Sequence, residues 1–200
     1  PFLVSNIRGT YTILDIITKL NKRMIQISTD EVFGSLQNGS AVEISRFNPS
    51  NPYAATKASA ELLVMSYFQT YNSDVVITRC TNNYGPRQFV EKLIPKTVIL
   101  ANKNKKIPVY GKGNNIRDWI FVDDHCDAVL MSLLNGKKGE SYNISANNEI
   151  DNITVVRKIL EIMNKPEELI QFVEDRPGHD FRYSLDSRKI SNELGWKNNT

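Results

Sequence analysis

The sequence predicts an α/β protein, with a parallel sheet in its first half and a smaller, more irregular region after it. Three observations carry this. Short apolar runs at residues 24–27 and 75–77 read as buried strands. Each follows a stretch of helical periodicity, at residues 3–20 and 53–71, so the order is helix, strand, helix, strand, the rhythm of a parallel sheet. After residue 81 that rhythm breaks into short strands separated by polar, glycine-containing turns.

In chain order, residues 3–20 place Leu3, Ile7, Tyr11, Leu14, Ile17 and Leu20 at helical spacing, broken only by Gly9. Residues 23–28 are the first strand. Residues 34–51, rich in Gly, Asn, Ser and Pro, are expected to be a loop with a lid role. A long helix follows at 53–71, started by Asn51 or Pro52, with Ala55, Ala58, Leu62, Met65 and Phe68 as its apolar face. Residues 74–80 are the second buried strand, and 81–87 a polar loop around Gly85-Pro86. Residues 92–102 read as helix, and the basic run at 103–106 as a solvated turn. A short strand at 107–110 precedes the turn at 111–115, and another strand spans 116–122. Asp123-Asp124 are expected to cap a helix at 126–134. Residues 141–145 form a strand, 153–163 a helix and 170–174 a last short strand. A charged loop, 175–180, leads to a closing helix at 187–194 that Gly195 stops.

The totals exclude several classes. Net charge is +3, too mild to argue for nucleic acid, and no arginine-rich block or basic-aromatic stripe is present. The two cysteines, Cys80 and Cys126, lie far apart without metal-ligand spacing, which suits a reducing compartment. No signal peptide and no run of eighteen apolar residues occurs, so a soluble cytoplasmic protein is expected, with no membrane role. The sequons at Asn38, Asn143, Asn152 and Asn198 are then chance matches. The chain is apolar from Pro1 onward, and a preceding segment is expected.

The first strand delivers Ser28-Thr29-Asp30-Glu31 to its carboxyl end, the edge of an open α/β sheet where ligands bind. Adjacent carboxyls there can hold different pKa values, one serving as acid and the other as base. Tyr53 and Lys57, four residues apart, share a helix face, and a neighbouring ammonium favours the phenolate. Each feature also has a plain reading: a helix cap for the first, a common surface pair for the second. Asn82-Asn83-Tyr84-Gly85-Pro86 reads equally as a turn, Arg117-Asp118 as a weak local ion pair, and His125 as a capping or core-edge histidine. A diphosphate ligand needs several separate cationic donors, and Lys92, Arg117 and Arg176 are suitable in kind. His179 lies beside the last of these.

Taken jointly, these phrases resemble the extended short-chain dehydrogenase/reductases that act on nucleotide sugars. The resemblance is narrowest to the dTDP-glucose 4,6-dehydratase group. It runs through the residues already quoted, and through Pro52-Tyr53-Ala54-Ala55-Thr56-Lys57, Glu91-Lys92-Leu93-Ile94-Pro95, Pro108-Val109-Tyr110-Gly111, Ile116-Arg117-Asp118-Trp119 and Asp175-Arg176-Pro177-Gly178-His179-Asp180. Tyr-x-x-x-Lys identifies only the superfamily. Thr-Asp-Glu with Arg-Pro-Gly-His-Asp points to the dehydratases. Phe33 stands where the family usually has Tyr, and the glycine-rich turn that holds a dinucleotide pyrophosphate does not occur in these 200 residues.

The resemblance implies a partial Rossmann-type sheet at 1–81 and a nucleotide-sugar-binding region at 82–200, with residues around 116–135 returning to the first domain. It implies NAD as cofactor, contacted by Tyr53, Lys57 and Asn83. It implies catalysis by Thr29, Asp30, Glu31, Tyr53 and Lys57, with Asp30 kept protonated as the acid, Glu31 as the base and Tyr53 as the phenolate. Thr29, Asn82, Lys92, Leu93, Pro108, Val109, Tyr110, Arg117, Asn152, Arg176 and His179 line the sugar-nucleotide pocket, with Arg117 and Arg176 on the diphosphate. Asn6 has a supporting role, and a homodimer forms through helices 3–20 and 53–71. The competing expectations are a 4-epimerase or UDP-glucuronate decarboxylase of the same family, or a fragment that binds nucleotide sugar without catalysis.

Overall fold

Residues 1–200 are described by a computed structural model. The amino-terminal helix starts as a wide π-type turn, Leu3–Arg8, and tightens at Gly9 into α1 (Gly9–Lys19). Leu14 is its inward anchor and packs with Val64, Val75 and Ile77. Tyr11, Ile13, Ile16 and Leu20 stay exposed. β1 (Met24–Thr29) then runs parallel to β2 (Val75–Cys80), in register from Met24 opposite Val75 to Thr29 opposite Cys80. The helix between them, α2 (Pro52–Tyr71), is capped by the Asn51 side chain and ends at Asn72 in the left-handed region, φ 54°.

The inward face of α2 differs from the expected one. Its buried residues are Ala54, Thr56, Ala58, Ala60, Glu61 and Val64, whereas Leu62 is 61% exposed. The helix has two buried sides. Ala58 packs with Val32 and Phe33, while Thr56 accepts a hydrogen bond from the Asn6 side chain, 3.0 Å. Small residues let α2 approach neighbours on both sides. A charged residue occupies an inward position because Arg79 on β2 meets it there.

Beyond β2 come two strands that the polar composition hid. β3 (Asn82–Tyr84) pairs parallel with β5 (Ile116–Phe121), and β7 (Glu149–Asp151) pairs antiparallel with the same strand. Between them lie α3 (Leu93–Asn102) and β4 (Ile107–Tyr110). α4 (Val122–Asn135) begins at Val122, so Asp123 and Asp124 sit inside its first turn and do not cap it. Their charge still suits a helix amino terminus. The Asp124 carboxylate instead accepts the backbone N–H groups of Asn199 and Thr200, at 3.1 and 3.2 Å. Arg117 and Asp118 form no ion pair: Asp118 accepts from Ser145 Oγ and from the Asn147 and Asn148 N–H groups, away from Arg117.

β6 (Ser141–Ile144) returns to the first sheet, giving the order β1-β2-β6. α5 (Asn152–Ile162) follows, then β8 (Ile170–Val173), which pairs parallel with β4, and finally α6 (Arg188–Leu194). Two further cores lie beyond those at Leu14 and at Ala58. Val76, Ile120, Ala128, Tyr142, Ile144, Ile190 and Trp196 fill the space between the sheet, α4 and α6. Ala101, Ile107, Val109, Val156 and Leu160 hold α3, α5 and β4 together. β1 ends at Thr29 opposite Cys80, the last residue of β2, and β3 begins two residues later. No helix is long and apolar enough to cross a membrane.

Candidate active site

The site starts where β1 stops. Thr29 is extended, φ −145° and ψ 154°, and caps the single helical turn Asp30–Phe33 by accepting the Glu31 N–H at 3.3 Å. Its hydroxyl donates to Asp30 Oδ1 at 3.1 Å. Asp30 is only 5% exposed, and its Oδ2 has no partner. Burial, and then the neighbouring Glu31 carboxylate, push the Asp30 pKa up to about 7. Glu31 faces differently: its Oε2 accepts the Asn51 side-chain amide at 3.2 Å. Gly34, at φ 68°, turns the chain so tightly that a Cβ there would strike the Asn48 carbonyl oxygen, and this brings the 48–51 segment back beside the carboxyls.

Tyr53 sits in the first turn of α2 and Lys57 one turn on. Lys57 Nζ donates to the Ile27 carbonyl at 2.6 Å. The Tyr53 pKa is pushed up to about 12, by burial first and then by Glu31, Cys80 and Asp30. Lys57 is not among the groups that set this value, because its ammonium is engaged elsewhere. Lys57 spends its charge on a strand carbonyl, while two carboxyls and a thiol crowd the phenol. Burial lowers the Lys57 pKa.

Cys80 ends β2 opposite Thr29, and burial pushes its thiol up to about 12. The Asn83 amide donates to Cys80 Sγ at 3.4 Å and to the Thr81 carbonyl at 3.2 Å, leaving Asn83 Oδ1 buried without a partner. Arg117, 5% exposed, lies 4.4 Å over the Tyr183 ring. It donates to the carbonyls of Asp180 at 2.8 Å and Phe181 at 3.1 Å. Burial lowers its pKa, and Asp30 and Glu31 lie close enough to oppose that change.

A second cluster stands at the 175–180 loop. Arg176 lies 5.9 Å from the Tyr110 ring centroid, and His179 meets the same ring edge-on at 6.5 Å. His179 Nδ1 lies 2.7 Å from Asp175 Oδ1, and burial lowers the imidazole pKa. Thr29, Asp30, Glu31 and Asn83 therefore gather at the strand ends with Tyr53 and Lys57 of α2, and Tyr110 at the end of β4 meets Arg176 and His179 of the loop. Arg117 is electrostatically coupled to both. Leu93 and Val109 pack with the second core, Pro108 is half-buried beside them on β4, and Asn152 opens α5 with its N–H on the Asn115 carbonyl at 3.1 Å. Asn82 lies on β3 opposite Trp119, and Lys92 is the exposed residue before α3.

A family model described as GDP-mannose 4,6 dehydratase matches residues 1–200. The chain belongs to that family. A dTDP-glucose 4,6-dehydratase of Actinoplanes sp. is 47% identical over 198 residues, which are 98% of this chain and 62% of the relative. The crystal structure of the dTDP-glucose 4,6-dehydratase of Bacillus anthracis in complex with NAD matches with a TM-score of 0.94 at 43% identity, over 98% of this chain and 63% of that one. The UDP-glucuronic acid 4-epimerase of Bacillus cereus, in complex with UDP-glucuronic acid and NAD, matches with a TM-score of 0.95 at only 26% identity, over 100% and 64%. This chain thus spans less than two thirds of the length of these relatives.

Three residues of the site carry little sign of their role in the sequence. Asn51 was visible as a helix start but not as a donor to Glu31. Cys80 was counted only for its redox meaning. Tyr183, whose hydroxyl donates to Asp180 Oδ2 at 2.7 Å, had no signal beyond being an aromatic near the Arg-Pro-Gly-His-Asp phrase.

Proposed function

We propose that the protein carrying this chain is an NAD-dependent dehydratase that converts dTDP-glucose into its 4-keto-6-deoxy form. The carrying observation is the unlike pair at the end of β1: Asp30, buried with a free oxygen and a pKa near 7, beside Glu31, which an amide donor holds. Neighbouring acid and base suit elimination across two adjacent carbons of one sugar ring. Identity favours the same reading, at 43–47% with named 4,6-dehydratases against 26% with the epimerase.

The residues present fit the nicotinamide end of NAD. Asn83 Oδ1 is a buried acceptor without a donor, and the Cys80 thiol that the Asn83 amide touches lies close to both Tyr53 and Lys57 on α2. When bound, NAD supplies the hydride acceptor and donor. Tyr53 takes the proton of the carbon-4 hydroxyl, which requires the Lys57 charge to face the phenol. Thr29 hydrogen-bonds the carbon-4 oxygen. Glu31 removes the proton at carbon 5, made acidic by the adjacent ketone. Asp30 gives its proton to the hydroxyl leaving carbon 6 as water. Arg117, Arg176 and His179 suit the diphosphate, with Asn82, Lys92 and Tyr110 around the nucleotide.

The exposed Tyr11, Ile13 and Leu62 on α1 and α2 support a homodimer through these helices. Two free cysteines support a cytoplasmic setting. The full-length protein supplied with dTDP-glucose and NAD should form the alkali-absorbing 4-keto product. Recovery of unchanged sugar, or of an epimer alone, would sink the proposal.

A further inference from the structure

We infer that Asn51 is a positioning residue for the elimination step: it ties the Glu31 carboxylate to the helix that carries Tyr53. The inference rests on the dehydratase reading above. Asn51 uses both ends of one amide. Its Nδ2 donates to Glu31 Oε2 at 3.2 Å, and its Oδ1 accepts the Ala54 N–H at 2.9 Å. A flipped amide would lose both bonds, so the two contacts fix one orientation. Pro52 follows and restricts Asn51 to the extended backbone that it adopts, φ −140° and ψ 162°.

The preceding residue is anchored as well. Ser50 Oγ donates to the carboxylate of Asp180, which is 7% exposed, and the Ser50 carbonyl lies 3.5 Å from where a Cβ on Gly178 would sit. Asn51 is therefore braced against the 175–180 loop on one side and α2 on the other. It is the side chain that donates to Glu31, and it leaves Oε1 free.

In the elimination the carbon-5 C–H bond breaks and its proton passes to the Glu31 carboxylate. The electron pair becomes the carbon-5 to carbon-6 double bond as the carbon-6 C–O bond breaks, and the leaving oxygen takes the Asp30 proton. A base that pivots loses aim at the carbon-5 proton. Asn51 prevents that pivot and keeps the base in step with Tyr53, which acts one carbon away.

The test separates the cap from the carboxylate contact. Serine and aspartate cap helices about as well as asparagine, but neither donates an amide to Glu31. In the full-length protein with NAD, dTDP-glucose and its carbon-5-deuterated form, Asn51→Ser and Asn51→Asp should melt close to the parent. They should oxidise the sugar at the parent rate, read from reduced-cofactor absorbance. Elimination should slow about 10-fold, the scale of a lost charge-assisted hydrogen bond. The deuterium isotope effect on elimination should rise above the parent's. Elimination at the parent rate in both variants overturns the inference, as does equal slowing of oxidation and elimination with no change in isotope effect. A parent that forms no 4-keto product overturns the dehydratase reading as well; a parent that forms it while the variants match it overturns this inference alone.

Discussion

The Arg79 guanidinium donates three hydrogen bonds to the Glu61 carboxylate, the shortest at 2.6 Å, with the two side chains only 4% and 1% exposed. The pair locks the middle strand to α2. Arg79 also donates to the Glu43 carbonyl at 3.1 Å and stands over Phe33 and Phe47, so the same cation ties down the 34–51 loop. Glu61→Ala leaves a buried charge unpaired. It should cost about 3 kcal/mol of unfolding free energy, read by urea titration. A loss below about 1 kcal/mol would mean that water reaches Arg79.

Asp30→Asn keeps the shape of the proposed acid and removes its proton. The complete enzyme should still oxidise dTDP-glucose while elimination falls by a factor of about 100 or more. Rapid-quench product analysis reads both steps, and unchanged turnover would remove Asp30 from the mechanism.

The same carboxyl makes a prediction about stability that needs no substrate. Its folded pKa, about 7, lies above the ordinary value of 3.8. Between those limits the unfolded chain has released the proton and the folded chain retains it, so this group's contribution to stability falls as pH rises from about 4 to 7. Asp30→Asn lacks that loss. Its stability relative to the parent should improve over this window and level off above it, as measured by denaturant midpoints at pH 5 and pH 8. A constant difference would place the Asp30 pKa back in the usual carboxylate range.

The 200 residues hold groups suited to the nicotinamide end of NAD but no glycine-rich turn for its pyrophosphate. Calorimetric titration of this polypeptide with NAD should show no tight association. A dissociation constant in the micromolar range or below would contradict this.

How much of this was legible in the sequence depends on where each signal was written. Thr29-Asp30-Glu31 could be placed at a strand end because Met24, Ile25 and Ile27 before it are apolar, although Met24 and Ile25 are only half-buried and Ile27 is exposed. Asn82-Asn83-Tyr84 has no apolar run, and becomes a strand only because β5 offers it a partner. Spacing predicts Leu62 on the inward face of α2, and Glu61 makes sense there only because Arg79, eighteen positions later, is its partner. Spacing put Tyr53 and Lys57 on one face, but it could not show that the ammonium's hydrogen-bond partner is a carbonyl thirty residues upstream.

That carbonyl has a consequence of its own. Met24 donates its N–H toward Asp74, so by strand alternation Ile27 points to the opposite, unpaired border of the three-stranded sheet. A positive charge stationed there discourages stray strands from docking.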